Sequence, residues 1–227
     1  MSLPVEIAES TDVKRSALLF IDLQRRHMDV DGVGYHTLPK DRAELVNRRA
    51  AAALAVAREI DMPIIHVGTW KKPDAPWGER SGSNPFFRWQ NGKPIVGASF
   101  VRQANICTEG SPYAEFMPDT APLAHEPVVV KFRYTSFYMT DLELTLRGLG
   151  IERLFIGGVN TNNCVLHTSF DANSRDFSVV VLEDATGSMN GQEYHEAAIR
   201  QIAASIGWVC TVDEFSDLAR AKAKDGR

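Results

Sequence analysis

The chain has 227 residues, a formal net charge of −4, 44% hydrophobic and 24% charged residues, which suits one compact domain with nothing that reads as a linker. Its Lys and Arg are scattered rather than clustered, so a nucleic-acid partner is excluded, and no segment approaches the roughly 20 apolar residues that span a bilayer. The three cysteines, Cys107, Cys164 and Cys210, are widely spaced, with no CxxC pair and no Cys-His cluster of zinc type, which predicts free thiols, no metal and a cytoplasmic setting.

In chain order, MSLPVEIAESTDV shows no basic region leading into an apolar run, so no leader is expected, and it is polar enough to fray. ALLFID (17–22) is the first short apolar run. A helix-period segment, Asp41 to Ile60, follows, with Leu45, Val46, Ala53, Leu54, Val56 and Ala57 on one face. After the second run, PIIHVG (63–68), the rhythm breaks: Thr69 to Glu126 holds no clear strand but is rich in Trp, Phe, Pro and Gly. A stretch of that length predicts an insertion that roofs a site or, equally, an oligomer contact. PVVVKF (127–132), RLFIGGV (153–159), FSVVVLED (177–184) and GWVCTV (207–212) complete the runs, separated by helical segments at Thr140 to Leu149, Cys164 to Arg175 and Gly191 to Ile206. The end, ARAKAKDGR, reads as a solvated tail.

Apolar runs without alternation suit parallel strands buried on both faces. The β-α alternation therefore predicts a three-layer α/β/α, Rossmann-like fold with a mainly parallel six-stranded sheet, whose ligands gather beyond the carboxyl ends of the strands. Three reactive side chains fall there: Asp22 after the first run, Lys131 after the third and Cys164 just past the fourth. In FIGGVNTNNCVLHTSF, a strand ending at Gly157-Gly158, a turn over Val159 to Asn163 and a helix starting near Cys164 would aim the thiol at a helix N-terminus, which favours the thiolate. Taken singly, Cys164 is as well read as a small buried residue, Asp22 as a helix cap and Lys131 as a snorkelling edge residue. Taken jointly, they are a base, a cation and a nucleophile suited to attack on an amide carbonyl, with backbone N–H groups of the turn for the oxyanion.

The blocks LLFIDLQ, VVVKFRYTSFYMTDLELTLRGLGIERLFIGGVNTNNCV and VVVLEDAT resemble the cysteine hydrolases of the isochorismatase-like superfamily from about Ala17 to Phe215. The resemblance implies a metal-independent and cofactor-independent amidohydrolase with Asp22, Lys131 and Cys164 as its triad. It also implies a cis peptide at Val159-Asn160, an oxyanion hole at Asn160 and Cys164, and assembly as a homodimer or homotetramer. HVGTWKKPD departs from the Asp-x-His pattern of metal-dependent nicotinamidases, and Cys164 departs from true isochorismatases, which lack it. KFRYTSF with TNNCV is most similar to the members that act on ureido compounds of the biuret, triuret or ureidoacrylate kind, where a Tyr three residues after the Lys borders the substrate. Tyr134 takes that place. Arg133 suits a carboxylate, and Trp70, Glu79 and Asn84 suit a small planar ureide, although each is equally consistent with packing or surface. Hydrolysis of another small amide, or an inactive binding relative, are the rival readings.

The remaining conspicuous residues read as structural. His66, His167 and His195 lie in or beside apolar elements, Asp184 is expected to cap a turn, Asp176 to occupy a helix-ending turn, and Cys107 and Cys210 are spare thiols. Asn160, in a place where the family usually has a small or apolar residue, is expected to read a substrate carbonyl or amine.

Overall fold

The structure, a computed structural model, describes residues 3–29, 31, 38–71, 85–90 and 107–225. Strands β1 (Ser16–Ile21), β2 (Ile64–Gly68), β3 (Val128–Val130), β4 (Arg153–Val159), β5 (Ser178–Gly187) and β6 (Trp208–Cys210) form one sheet in the order β3-β2-β1-β4-β5-β6, every pairing parallel. The helices among the described residues are α1 (Val5–Ser10), α2 (Arg25–Met28), α3 (Lys40–Glu59), α4 (Pro85–Gln90), α5 (Leu142–Gly148), α6 (Leu166–Asn173), α7 (Gln192–Ser205) and α8 (Val212–Asp225). None of them is long and apolar enough to cross a membrane.

The sheet runs outward from β1 in one direction through β2 and β3, then restarts on the other side of β1 with β4. That reversal is a topological switch point, where the loops leaving the strand ends diverge and open a crevice. The strands are largely apolar because both faces are covered, with Ser16, His66, Arg153 and Thr186 among the buried polar exceptions. Leu18, Phe20, Phe155, Val180 and Leu182 enter one core with α3 and α8, while Leu19, Ile21, Leu154, Ile156, Val179 and Val181 enter the other with α5, α6 and α7. On α3 the buried face includes Ala43, Ala50, Ala53 and Ala57, small side chains that let the helix lie close to the sheet. Leu45, expected on that face, is only half-buried.

Two glycines bring β4 against β1 beside the crevice. Gly158 has φ 109°, and a Cβ there would stand 2.0 Å from the Ile21 carbonyl oxygen. At Gly157 a Cβ would stand 2.3 Å from the Phe20 ring. A side chain at Gly158 would require the β1 backbone to move just before Asp22, and one at Gly157 would require the Phe20 ring to turn aside.

Three expectations change. β5 continues past Asp184 to Gly187: its register against β4 shifts between Ile156 and Gly158, and pairing resumes at Thr186. The shift swings Asp184 out to accept a hydrogen bond from Val212 N at 2.8 Å and to pair with Arg49 at 2.7 Å, so it caps the start of α8. Residues 219–225 of the tail do not fray but continue α8; past Ala219 they are largely solvated, as expected, and the helix is anchored by buried Val212, Phe215 and Ala219, with Phe215 stacked at a tilt on Phe155 at 4.8 Å. Burying a phenylalanine of this kind is worth about 1.5–3 kcal/mol, enough to order a charged helix. The N-terminus is likewise held: Ile7 of α1 is buried, and Arg153 donates to the Ile7 carbonyl and to the hydroxyls of Ser10 and Thr11. Asp176 does close α6 in the left-handed region, at φ 61°.

Candidate active site

Four neighbouring strands each release a polar side chain at the same edge: Lys131 after β3, Thr69 after β2, Asp22 after β1 and Cys164 five residues after β4. Neighbouring strands are about 4.8 Å apart, so a side chain leaving β3 must reach over β2 to meet one leaving β1. The four-carbon stem of Lys131 makes that crossing, and its Nζ stands 2.8 Å from Asp22 Oδ2 and 3.2 Å from Cys164 Sγ. A third N–H donates to the Arg133 carbonyl at 3.2 Å. The ammonium, fully buried, therefore has an acceptor for each of its three protons. Asp22, 1% exposed, sits at φ 55°, a left-handed conformation that directs its carboxylate inward from the strand end.

Burial pushes the Asp22 carboxyl upward, but the charges of Lys131 and His27 and hydrogen bonds from Lys131 and Cys164 outweigh it. The net direction is below the ordinary carboxylate range. Asp22 is thus held ionised. Its other oxygen, Oδ1, accepts from Thr69 Oγ1 at 2.8 Å. Gln24 fixes Thr69 in turn: Gln24 Oε1 accepts from Thr69 N at 2.8 Å, and Nε2 donates to the Ala114 carbonyl at 2.7 Å. Neither Thr69 nor Gln24 nor His27 was singled out from sequence, although Gln24 and His27 lie only two and five residues beyond Asp22.

The Val159-Asn160 peptide is cis, as the resemblance implies. The helix expected to start near Cys164 does so differently. Thr161–Val165 is a π-helical turn, with Val165 N reaching back to the Asn160 carbonyl at 3.1 Å, and regular α6 begins only at Leu166. Wide turns of this kind are frequent at functional sites. The Asn160 side chain is directed into the fold, since its Oδ1 accepts from Met189 N at 2.9 Å.

Of the expected substrate contacts, Tyr134 packs against the core cluster that contains Cys164, with its ring 5.4 Å from that of His167. Arg133 donates from Nη1 to the Phe132 carbonyl at 2.8 Å, one residue back in its own chain. Trp70 lays its ring over Gly68, at the end of β2, and meets Phe116 edge-on at 6.5 Å. Its indole Nε1 is buried and has no hydrogen-bond partner among the described residues. Glu79 and Asn84 lie outside the described residues. The described part of the 69–126 segment does border the site: Cys107 Sγ donates to the Thr69 carbonyl at 2.8 Å, and Met117 N to the Leu23 carbonyl at 3.0 Å.

The histidines read as structural have structural partners. His66 Nε2 donates to Glu126 Oε2 at 2.8 Å, and His167 Nδ1 stands 2.8 Å from the Asn163 carbonyl. Burial pushes the Cys210 thiol well up, which keeps it neutral. Among the described residues, no group of three or more His, Cys, Asp or Glu could hold a metal ion.

The isochorismatase domain model matches residues 16–214. The chain is 30% identical over 206 residues to ureidoacrylate amidohydrolase RutB of Variovorax paradoxus, covering 88% of this chain and 79% of that one. Among solved structures, a cysteine hydrolase from Pseudomonas syringae pv. phaseolicola superposes with a TM-score of 0.76 at 21% identity, covering 93% of this chain and 95% of that one. N-carbamoylsarcosine amidase from Thermoplasma acidophilum superposes at 0.65 and 21% identity, covering 88% and 97%.

Proposed function

Since the chain belongs to the isochorismatase family, and its buried lysine joins a carboxylate and a thiol at one strand edge, we propose that it is a cysteine amidohydrolase of small ureides or N-carbamoyl amides. The observation that carries this reading is the Asp22–Lys131–Cys164 contact set itself. The Cys164 thiol gives its proton to Asp22, and the thiolate, held beside the Lys131 ammonium, attacks the carbonyl carbon of the C–N bond to be cleaved. The C=O electron pair moves to oxygen, and backbone N–H groups of Asn160 and Cys164 are assigned to that oxyanion. As the tetrahedral adduct collapses, the C–N bond breaks and the proton held by Asp22 passes to the leaving nitrogen, which departs as ammonia. For a ureide the enzyme then carries a thiocarbamate. Water attacks this carbonyl, gives a proton to Asp22, and the C–S bond breaks to release the carbamate and return the thiol. The reaction needs neither metal nor cofactor.

The ureide preference is drawn from the amidohydrolase relative together with Tyr134 beside the site. Trp70 offers to a carbonyl oxygen an N–H without a partner among the described residues, Arg133 a guanidinium to a carboxylate, and Glu79 and Asn84 complete the proposed contacts. A single domain, a cytoplasmic setting and a homodimer or homotetramer belong to the same reading. The test is ammonia release from a panel of ureidoacrylate-like compounds, biuret, triuret, N-carbamoyl amino acids and simple amides, run alongside Cys164→Ala and Cys164→Ser. Turnover confined to ureides, abolished in both variants, with mass spectrometry trapping an acyl adduct on Cys164 in the parent enzyme, is the expected result. Ammonia release by Cys164→Ala at the parent rate overturns it.

A further inference from the structure

The turn before Cys164 is fastened from outside the strand-end site. Asn162 Oδ1 accepts from Ser188 Oγ at 2.7 Å, and its Nδ2 donates to Asn190 Oδ1 at 2.9 Å. With the Asn160–Met189 bond, the side chains on either side of Thr161 are both anchored to the link between β5 and α7. The third is different in kind. Thr161 Oγ1, fully buried, lies 2.9 Å from Nδ1 of His195, on the first turn of α7.

His195 is 7% exposed, and its Nε2 lies 2.9 Å from Nη2 of Arg42 on α3, which also donates to the Thr186 carbonyl at 2.6 Å. A guanidinium has donors only, so Nε2 must accept. An imidazole that accepts at Nε2 is neutral and carries its proton on Nδ1, so it donates to Thr161. The ring's two ends are thereby assigned, one to α3 and one to the turn bearing the thiol. Burial, then the charge of Arg42, push the His195 pKa down to about 4 against the weaker pull of Glu196, so the ring stays neutral throughout the working range of an aspartate-thiol pair.

We propose that His195 is a positioning residue: its Nδ1–H holds Thr161, and through Thr161 it keeps the π-helical turn in the one arrangement that sets Cys164 Sγ against Asp22 and Lys131. The proposal rests on the reading of Cys164 as the nucleophile. A displacement of about 1 Å at reacting atoms costs roughly 100-fold in rate, so a small slackening of this turn is visible in kcat before it is visible in the fold.

Two substitutions separate the ring's ends. His195→Asn keeps an amide N–H near the place of Nδ1 and gives up Arg42; His195→Gln keeps an acceptor near the place of Nε2 and leaves Thr161 without its donor. Thr161→Val removes the same bond from the other side without changing shape. The readouts are kcat and KM for ammonia release, thermal melting, and the rate of Cys164 alkylation by iodoacetamide followed by peptide mapping, which needs no substrate. His195→Gln and Thr161→Val should each lower kcat about 10- to 100-fold with KM within about threefold, and slow alkylation. Their double variant should be no worse than either. His195→Asn should retain kcat within about fivefold although it loses as much melting temperature as His195→Gln. Equal kcat losses in the Asn and Gln variants that simply follow their melting temperatures would overturn the proposal, as would unchanged alkylation in Thr161→Val. Should Cys164→Ala itself prove active, the nucleophile reading fails separately, and the alkylation rates still decide whether His195 holds the turn.

Discussion

Replacing Lys131 by methionine isolates what the buried cation does, because the stem keeps nearly its volume while the charge is removed. In the parent, burial opposes ionisation of Asp22 and Lys131 at 2.8 Å is the largest of the groups that offset it. Removing one member of a buried pair typically costs about 3–5 kcal/mol, since the other charge is left without compensation. The hydroxyl of Thr69 and the charge of His27 remain on Asp22, which places the expected loss for Lys131→Met toward the lower end, about 3 kcal/mol at neutral pH. The sign with pH follows from the two folded states. Asp22 in the parent has a lowered pKa, so its contribution is present above the unfolded value near 3.9 and lost as pH falls through the folded one. In Lys131→Met the burial push prevails and the carboxyl rises, so the penalty is smallest in acid and grows as pH climbs toward neutrality. Urea unfolding followed by fluorescence between pH 4.5 and 7.5 measures this directly. Adding Asp22→Asn to Lys131→Met removes the stranded charge and should recover most of the loss, while kcat falls by roughly two to four orders of magnitude in each single variant and little further in the double. A Lys131→Met penalty under about 1 kcal/mol that does not change with pH, or strictly additive stabilities, would refute the coupled-pair account.

Thr69→Val removes a donor from Asp22 Oδ1; it should move the acid limb of the kcat/KM profile to higher pH and lower kcat about tenfold, as read from a pH–rate series. Glu126 accepts from Arg58, Leu123 N and His66; burial raises its pKa, but these bonds bring it down to about 2, against a usual carboxylate value of about 4.3. That difference stabilises the fold by roughly 3 kcal/mol above pH 4.5, lost as pH falls toward 2, so Glu126→Gln should flatten acid unfolding followed by circular dichroism. Gly158→Ala must find room for a Cβ 2.0 Å from the Ile21 carbonyl; a melting-temperature drop together with loss of activity is expected, and an unaffected enzyme would show that β1 and β4 yield easily there. EDTA dialysis followed by the ammonia assay should leave the rate unchanged, whereas a loss reversed by added zinc or iron would contradict the metal-free mechanism.

The strand ends were legible because ALLFID closes on Asp22 and PVVVKF carries Lys131 near its end, and charges at the carboxyl ends of parallel strands fall where such sheets gather ligands. Thr69 and Gln24 were not legible, since uncharged residues that act by hydrogen-bonding one another across 45 positions leave no periodic trace. The π-helical turn was hidden for a related reason: its width is supported by Ser188, Met189, Asn190 and His195, all of them distant in sequence. In α8, Phe215, Leu218 and Ala219 recur at helical spacing, but the Lys and Arg that follow them in ARAKAKDGR mask the helix's continuation into that end. Glu79 and Asn84 lie outside the described residues, so their expected roles stay with the proposal.

Lys131 spends its three N–H groups on Asp22, Cys164 and the Arg133 carbonyl. An ammonium so occupied has no hand left for a substrate, and it cannot bind one without letting go of the machinery it assembles. On the proposed mechanism, bond cleavage then rests with the strand ends, and substrate choice with side chains that leave Lys131 alone, such as those of Trp70, Arg133 and Tyr134. Such a division would let a lineage exchange one amide for another by rewriting those contacts while the cleaving apparatus is inherited intact. For an engineer it marks those contacts, rather than the strand ends, as the place to randomise when a new substrate is wanted.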